Sequence, residues 1–254
     1  MEVKYIMKVI ACIPARYSST RFPGKVLAKD TGKYLIHHTY EKACMARLPE
    51  KVIIAADNQK VFDAATSFGA ECVMTSPKHE SGTDRIAEAV KDVDAEIIVN
   101  VQGDEPEIDP ANIDYIAQLL IDNPDAQMAT LATPITTLDQ VMDPNVVKVV
   151  LDNAARAIYF SRSPVPYDRE NPIKPKTDHY LRHIGIYAYR MDFLQKYTTL
   201  KQTPLEKTEK LEQLRVIENG FAIMVGIVKQ VADGIDTPEQ YAEFVNRQTT
   251  LNQK

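Results

Sequence analysis

The sequence predicts an α/β protein built on a mostly parallel central sheet with helices on both faces. Three observations carry that prediction. Strand-like and helix-like stretches alternate from residue 8 to residue 121, the pattern of successive β-α-β units. The strand-like stretches are short apolar runs, such as Ile97-Ile98-Val99, as expected of buried strands. The 254 residues are 44% hydrophobic and 26% charged. That suffices for one large α/β domain or two small ones and argues against disorder.

Residues 8–13 form a β-branched run and open the fold as its first strand. Residues 14–33 follow as a long loop with five cations, and loops of that length usually carry function. Leu35, Ile36, Thr39, Ala43 and Ala46 recur at helical spacing over 34–47. Then come a strand over 52–56, a helix over 58–68 closed by Gly69 at its C′ position, and a strand over 71–74. Gly82 precedes a helix in which Ile86, Ala89 and Val90 share a face, and a fourth strand covers 96–101. Asp109-Pro110 starts the next helix, with Asp as N-cap and Pro at the first position. Beyond it, strands are expected at 128–134, 146–151, 157–160, 184–189 and 221–228, and helices at 191–197, 206–218 and 238–248. Leu211, Leu214 and Ile217 share one face of the 206–218 helix. Residues 161–180 hold four prolines and many charges and form an irregular excursion. There is no repeat, low-complexity segment or clean linker, so residues 1–254 read as one domain with an inserted subregion.

Lys and Arg number 30 against 35 Asp and Glu, a net charge of −5. That is a poor footprint for nucleic acid, although it leaves room for a local basic pocket. No apolar run approaches the roughly 20 residues of a membrane span. The N-terminal "MEVKYIMKVIACIPA" runs into a polar loop without a signal-peptide cleavage pattern; Met7 is a candidate natural start, with the residues before it an extension. Cys12, Cys44 and Cys72 show no metal-type pairing. An odd number suits a reducing cytoplasm better than a disulfide scaffold, and Cys12 and Cys72, in apolar runs, read as small buried hydrophobes.

In open parallel sheets ligands bind beyond the carboxyl ends of the strands, so the loops after strands one, three and four share a site. The first is "IPARYSSTRFPGK", where Arg16, Arg21 and Lys25 stand five and four residues apart beside Gly24 and several hydroxyls. Cations with exposed backbone N–H groups make a polyphosphate cradle. Neither GxxxxGK[ST] nor GxGxxG is present, and by composition the loop also reads as a solvated basic surface. The second, "SGTDR", offers the Ser81 hydroxyl, close backbone approach at Gly82 and the fork of Arg85; locally it also reads as a helix start capped by Ser81 or Thr83.

The third loop, "IVNVQGDEP", ends a buried strand in Gln102, Gly103, Asp104 and Glu105. Gly103 is expected to turn the chain sharply so that Asp104 points inward, and Pro106 to stop the strand. A carboxylate facing a phosphate loop suits a divalent cation, since Mg²⁺ takes one or two carboxylates plus substrate phosphates; a solvated polar turn is the other reading. In "GIDTPEQY", Thr237, Pro238 and Gln240 form a capping box. Asp236 stands outside it, either a second metal carboxylate or a flanking polar residue. His183 and Tyr187 in "LRHIGIYAYR" stand four apart and share a strand face. With Glu212 and Gln213 they suit a polyhydroxy ligand, or else a core edge and a solvated helix face.

In chain order, "IPARYSSTRFPGKVL", "SGTDRIAEAV", "IVNVQGDEPEI", "NVVKVVLD", "YFSRSPVPYDR", "LRHIGIYAYR", "PLEKTEKLEQLRVIENG" and "DTPEQY" closely resemble the 3-deoxy-manno-octulosonate (Kdo) cytidylyltransferases, or CMP-Kdo synthetases, from about residue 8 to about residue 247. The pattern PARxxSxRxPGK marks the wider sugar nucleotidyltransferase group, including sialic-acid activating enzymes. "NVQGDEP" with FSRxxxPxDR, RHxGIYxYR and LExxExLEQLR points to the Kdo branch.

The resemblance implies a Rossmann-like nucleotidyltransferase (GT-A-like) fold, with 161–190 an inserted dimer-contact subregion of a cytoplasmic homodimer. It implies the reaction of CTP with Kdo to give CMP-Kdo and pyrophosphate for lipopolysaccharide synthesis, with Mg²⁺, the anomeric hydroxyl attacking the α-phosphorus in line. Carried over by position, Arg16, Lys25 and Asp104 are the catalytic residues. Arg16, Lys25, Ser81, Arg85 and Gln102 bind the nucleotide, Asp104 and Asp236 hold Mg²⁺, and Arg162, His183, Tyr187, Glu212 and Gln213 surround the sugar acid. The implied partners are small molecules, with no nucleic acid and no membrane. This sequence has Tyr34 where the family often has a proline–hydrophobic pair, Tyr167 where a tryptophan is common, and a compact 168–179 segment. Two other readings use the same fold: the same chemistry on 8-amino-Kdo or a sialic acid, and a non-catalytic nucleotide-binding module. The pair Asp104 and Asp236 argues against the second.

Overall fold

The structure is a computed structural model that describes residues 7–18, 21–79, 81–229 and 232–252. The N-terminal extension expected before Met7, residues 19 and 20 of the first loop quoted above, and residue 80 just before the second lie outside the described residues. Residues up to Asp114 together with those from Ala232 form one compact unit, and residues 115–231 form a second.

In the first unit β1 (Val9–Ala15), α1 (Leu35–Cys44), β2 (Pro49–Ala56), α2 (Gln59–Ser67), β3 (Glu71–Met74), α3 (Gly82–Val90) and β4 (Ile97–Asn100) alternate along the chain. The strands pair in parallel in the order β3-β2-β1-β4. Val9, Ile10, Ala11, Cys12 and Ile13 are all at most 2% exposed, which accounts for their unbroken apolar run. Asn58, expected as the first helical residue, instead caps α2 by accepting from Lys60 N–H, and Gly69 ends it at φ 82, as the sequence predicts. So does α4 (Pro110–Asp122), where Asp109 Oδ1 accepts from Ala111 N–H at 2.9 Å.

The second unit contains β5 (Met128–Pro134), α5 (Leu138–Met142), β6 (Lys148–Leu151), β7 (Ala157–Ser161), β8 (Leu181–Arg190), α6 (Met191–Tyr197), α7 (Pro204–Glu209), α8 (Leu214–Glu218) and β9 (Ile223–Ile227). Its strand order is β7-β6-β8-β5-β9, and only β5 and β9 pair in parallel. The parallel character therefore belongs mainly to the first unit. A link as short as 152–156 between β6 and β7 permits only a hairpin. The chain closes with α9 (Pro238–Asn252), whose Tyr241 and Phe244 pack with Leu35 and Ile235 in a buried cluster of the first unit.

One expected helix, 206–218, is two. Lys210 adopts left-handed angles, φ 55 and ψ 47, at the end of α7. Nine residues apart on one straight helix, Glu206 and Arg215 would stand on opposite faces. The break folds α8 back, and Arg215 grips Glu206 with Nε–Oε2 at 2.8 Å and Nη2–Oε1 at 2.5 Å. The excursion after β7 is irregular, as expected, apart from a 3₁₀ turn at Thr177–His179. All three cysteines are free; Cys12 is buried, Cys72 partly buried and Cys44 exposed. Among the described residues no helix is long and apolar enough to cross a membrane.

Candidate functional site

A cavity of about 240 Å³ opens where the strands of the first unit end. It is lined by Pro14, Arg16, Ser18, Lys25, Gly82, Gln102, Gly103 and Asp104 among others. The three loops assigned to one site from the strand order thus meet there. Gly24 stands at φ 70, a left-handed conformation that glycine adopts without strain. It starts a 3₁₀ turn over Lys25–Leu27 that the sequence did not reveal, and this turn sends Lys25 inward; the residue is 9% exposed.

The Lys25 ammonium has three acceptors: Asp104 Oδ2 at 2.6 Å, the Ile235 carbonyl at 2.8 Å and Asp236 Oδ1 at 3.1 Å. Ile235 N–H also donates to the Asp104 carbonyl at 2.8 Å, which pins the two acidic residues side by side. Arg21 Nη2 reaches Asp236 Oδ2 at 2.9 Å from the exposed side. Thr237 and Gln240 form the expected capping box, with Asp236 just outside it. Two carboxylate oxygens therefore converge on one cation. That donor set, hard oxygens and only two of them, fits Mg²⁺ that takes its remaining ligands from phosphate and water. Among the described residues no group of three or more His, Cys, Asp or Glu is placed to hold a metal ion.

Gly103 explains how Asp104 arrives at this point, though not through a sharp turn at positive φ. A Cβ on Gly103 would lie 2.8 Å from the Pro14 carbonyl oxygen and 3.1 Å from Ile36 Cδ1. The glycine lets the Asp104 segment press against the end of β1. We expect Gly103→Ala to cost about 1–3 kcal/mol of stability by overpacking and to lower turnover, since the clash is with backbone that cannot swing away. Urea unfolding with parallel rate measurements checks this; wild-type values for both would refute the close-approach explanation.

Ser81 is the N-cap of α3: its Oγ accepts from Asp84 N–H at 3.0 Å and donates to Asp84 Oδ2 at 2.8 Å. Gln102 and Arg16 line the cavity. Arg85 does not. It is 1% exposed, with Nη1 donating to Thr75 Oγ1 at 2.8 Å and Nη2 3.7 Å from Asp57 Oδ2. Its Nε has no partner. Asp57, at the end of β2, escaped the sequence reading; its one signal there is a carboxylate straight after the apolar "VIIAA".

In the second unit β7 links the remaining candidates. The Phe160 ring stands edge-on to His183 at 5.0 Å, while Ser161 Oγ and Arg162 N–H donate to the Glu209 carboxylate at 2.6 and 3.0 Å. Burial pushes the Glu209 carboxyl up, but these donors outweigh it and hold it below the usual range. Arg162 spends Nε on the Glu209 carbonyl and Nη1 on the Pro144 carbonyl. The His183 and Tyr187 rings lie 5.5 Å apart, on one face as predicted. The register between β5 and β8 passes from Tyr187 to Ile184 in one step of the partner strand. Two residues are skipped, an even number, so alternation is preserved.

Thr130 Oγ1 lies 3.0 and 2.8 Å from the carbonyls of Ile184 and Ile186 and 3.0 Å from His183 Nε2. The hydroxyl has one proton for these three neighbours, so which of Thr130 and His183 donates depends on the imidazole tautomer. Burial lowers the His183 pKa to about 3, so the ring is neutral near pH 7. Glu212 is exposed, and Gln213 is 4% exposed with Nε2 unpartnered.

A parallel-stranded unit with cations and carboxylates gathered at the strand mouth suits a nucleotidyltransferase, and the chain's relatives place it in that class. The chain belongs to the cytidylyltransferase family, whose model matches residues 10–228. Its relatives include the 3-deoxy-manno-octulosonate cytidylyltransferases of Solibacter usitatus, 50% identical over 91% of each chain, and Geobacter metallireducens, 48% identical over 95% of this chain and 98% of the other. A solved CMP:2-keto-3-deoxy-manno-octonic acid synthetase complexed with CTP superposes with a TM-score of 0.90 at 40% identity, covering 96% of this chain and 99% of that one. A cytidylyltransferase from Leptospira borgpetersenii shares the fold, with a TM-score of 0.62 at 19% identity over 94% of this chain and 85% of the other.

Proposed function

We propose that the protein transfers the cytidylyl group of CTP to Kdo and releases pyrophosphate. The observation that carries this reading is the convergence of Arg16, Lys25, Gln102 and Asp104 on one cavity, in a chain whose close relatives bear the name of this activity. In-line attack on a phosphate needs positioning and charge neutralisation more than a strong base. Arg16 and Lys25 neutralise the triphosphate, Ser81 and Gln102 bind the cytidine side, and Arg85 acts from its buried place by holding Thr75 and Ser76. Asp104 and Asp236 would hold Mg²⁺, which would supply charge neutralisation of the phosphates and a lowered pKa for a hydroxyl bound beside it.

Lys25 changes partners in this scheme. In the free protein its three donors are used by Asp104, Ile235 and Asp236; an entering triphosphate draws the ammonium to itself and frees both carboxylates. For the sugar acid, we assign neutral His183 to hydroxyl recognition together with Tyr187, Glu212 and Arg162. The unpartnered Gln213 Nε2 supports its place among them, because a buried donor without an acceptor is costly unless a ligand supplies one.

We further infer a homodimer built through residues 161–190. Tyr167 and Ile173, 73% and 86% exposed, are apolar groups this segment leaves to solvent. Three free cysteines suit a cytoplasmic enzyme, supplying activated Kdo for lipopolysaccharide.

The test is pyrophosphate release from CTP and Mg²⁺ with Kdo, 8-amino-Kdo or N-acetylneuraminate. Release with Kdo alone is the expected result. Release with another acid sugar overturns the sugar assignment and keeps the triphosphate reading, whereas CTP binding without release with any acceptor favours a non-catalytic module.

A further inference from the structure

We propose that Asp57 is the positioning residue of the triphosphate site, its carboxylate fixing the backbone junction from which Arg16 and Lys25 are both aimed. This rests on the reading that the cavity binds CTP, and is independent of any metal.

Asp57 follows the last residue of β2, and its N–H donates to the Ala15 carbonyl at 3.3 Å. Its Oδ1 accepts from Tyr17 N–H at 2.9 Å. The Tyr17 carbonyl accepts from Gly24 N–H at 3.1 Å. Tyr17 is thus held at both ends of its backbone, with Arg16 immediately before it and Lys25 immediately after its partner Gly24. One carboxylate fixes the spacing of the two cavity cations.

The second oxygen works in the opposite direction. Asp57 Oδ2 lies 3.7 Å from Arg85 Nη2, with side-chain exposures of 11% and 1%. Arg85 Nη1 donates to Thr75 Oγ1 at 2.8 Å, and Thr75 Oγ1 donates to the Ala56 carbonyl at 2.9 Å. The carboxyl ends of β1, β2 and β3 are tied through this one side chain. A neutral acceptor would serve Tyr17 N–H, but only a carboxylate also answers the buried guanidinium, for which Asp57 is a stronger favourable charge than Glu88. Burial is the main influence lowering the Arg85 pKa; Asp57 opposes it and the nearby Arg16 adds to it. Asp57 therefore also offsets repulsion between the two arginines.

The experiment titrates CTP into folded Asp57→Asn and Asp57→Ala by calorimetry and measures Kd and stoichiometry, with KM for CTP and for Kdo from initial rates. We expect Asp57→Ala to weaken CTP by about 10- to 100-fold, Asp57→Asn by less because its amide oxygen still accepts from Tyr17 N–H, and KM for Kdo to stay within about twofold. A merely structural residue would lower the stoichiometry and the melting temperature while the remaining folded protein kept the wild-type Kd; that outcome overturns the proposal. Should neither variant fold, amide exchange in the wild-type protein decides: slow exchange at Tyr17 supports the bond to Asp57, and exchange at the free-chain rate overturns it. If the wild-type protein itself fails to bind CTP, the nucleotide reading falls instead.

Discussion

Asp104→Ala is expected to reduce turnover by about a thousandfold or more, the range seen when one group that stabilises transition-state charge is removed, while the protein stays folded. The Asp104 side chain is 30% exposed, so water replaces most of what the carboxylate loses. Lys25 keeps the Ile235 carbonyl and Asp236, so no buried ammonium is left bare. The backbone that pins Asp104 to Ile235 is untouched. Asp104→Asn should behave the same way in turnover, because an amide keeps the shape and loses the charge. Pyrophosphate release and a thermal melt on the same samples read both consequences. Near-normal turnover in Asp104→Asn would remove the carboxylate from the chemistry, and a collapsed melting temperature would make it a structural residue.

The fold of the first unit was legible because period, caps and breakers agree there. Asn58, Gly69 and Asp109-Pro110 each mark an element end in the sequence and do so in the structure. The second unit was less legible where long-range pairing overrides local spacing. Leu211, Leu214 and Ile217 do keep helical spacing, yet the pairing of Arg215 with Glu206 outweighs a continuous helix and places Lys210 at positive φ. The short α5 and the 3₁₀ turn at Lys25 were invisible because so few residues carry no periodicity.

The site divides along similar lines. The positions of Arg16, Lys25, Gln102 and Asp104 followed from the rule that strand ends face the ligand. What the sequence concealed is which side chains touch. Arg85 looked like a ligand fork and is buried on Thr75 and beside Asp57. Asp57 itself has no motif, since its work is a contact with Tyr17 forty residues away in the chain. Gly103 was expected for its backbone freedom, whereas the structure uses its missing side chain.

Lys25→Met is the other large effect, and it has opposite signs for the two ligands proposed for the cavity. CTP should bind about 10- to 100-fold more weakly, because a charge-assisted contact to phosphate is lost. Divalent cation should bind the free protein more tightly. In the wild type one ammonium neutralises Asp104 Oδ2 and Asp236 Oδ1 together, and Arg21 shares only Asp236. Methionine leaves two neighbouring carboxylates with a single exposed counter-ion, and their repulsion is relieved by a cation. Titration of Mn²⁺ followed by electron paramagnetic resonance, with and without CTP, separates the cases. The wild-type protein should hold Mn²⁺ weakly alone and strongly with CTP, because the nucleotide takes Lys25 away from the carboxylates. Lys25→Met should hold it about tenfold more tightly than wild type without nucleotide, a change of about 1.4 kcal/mol. Equal Mn²⁺ affinity in the two free proteins would mean that Lys25 does not guard the carboxylates. Unchanged CTP affinity in the variant would mean that Lys25 never leaves them for phosphate.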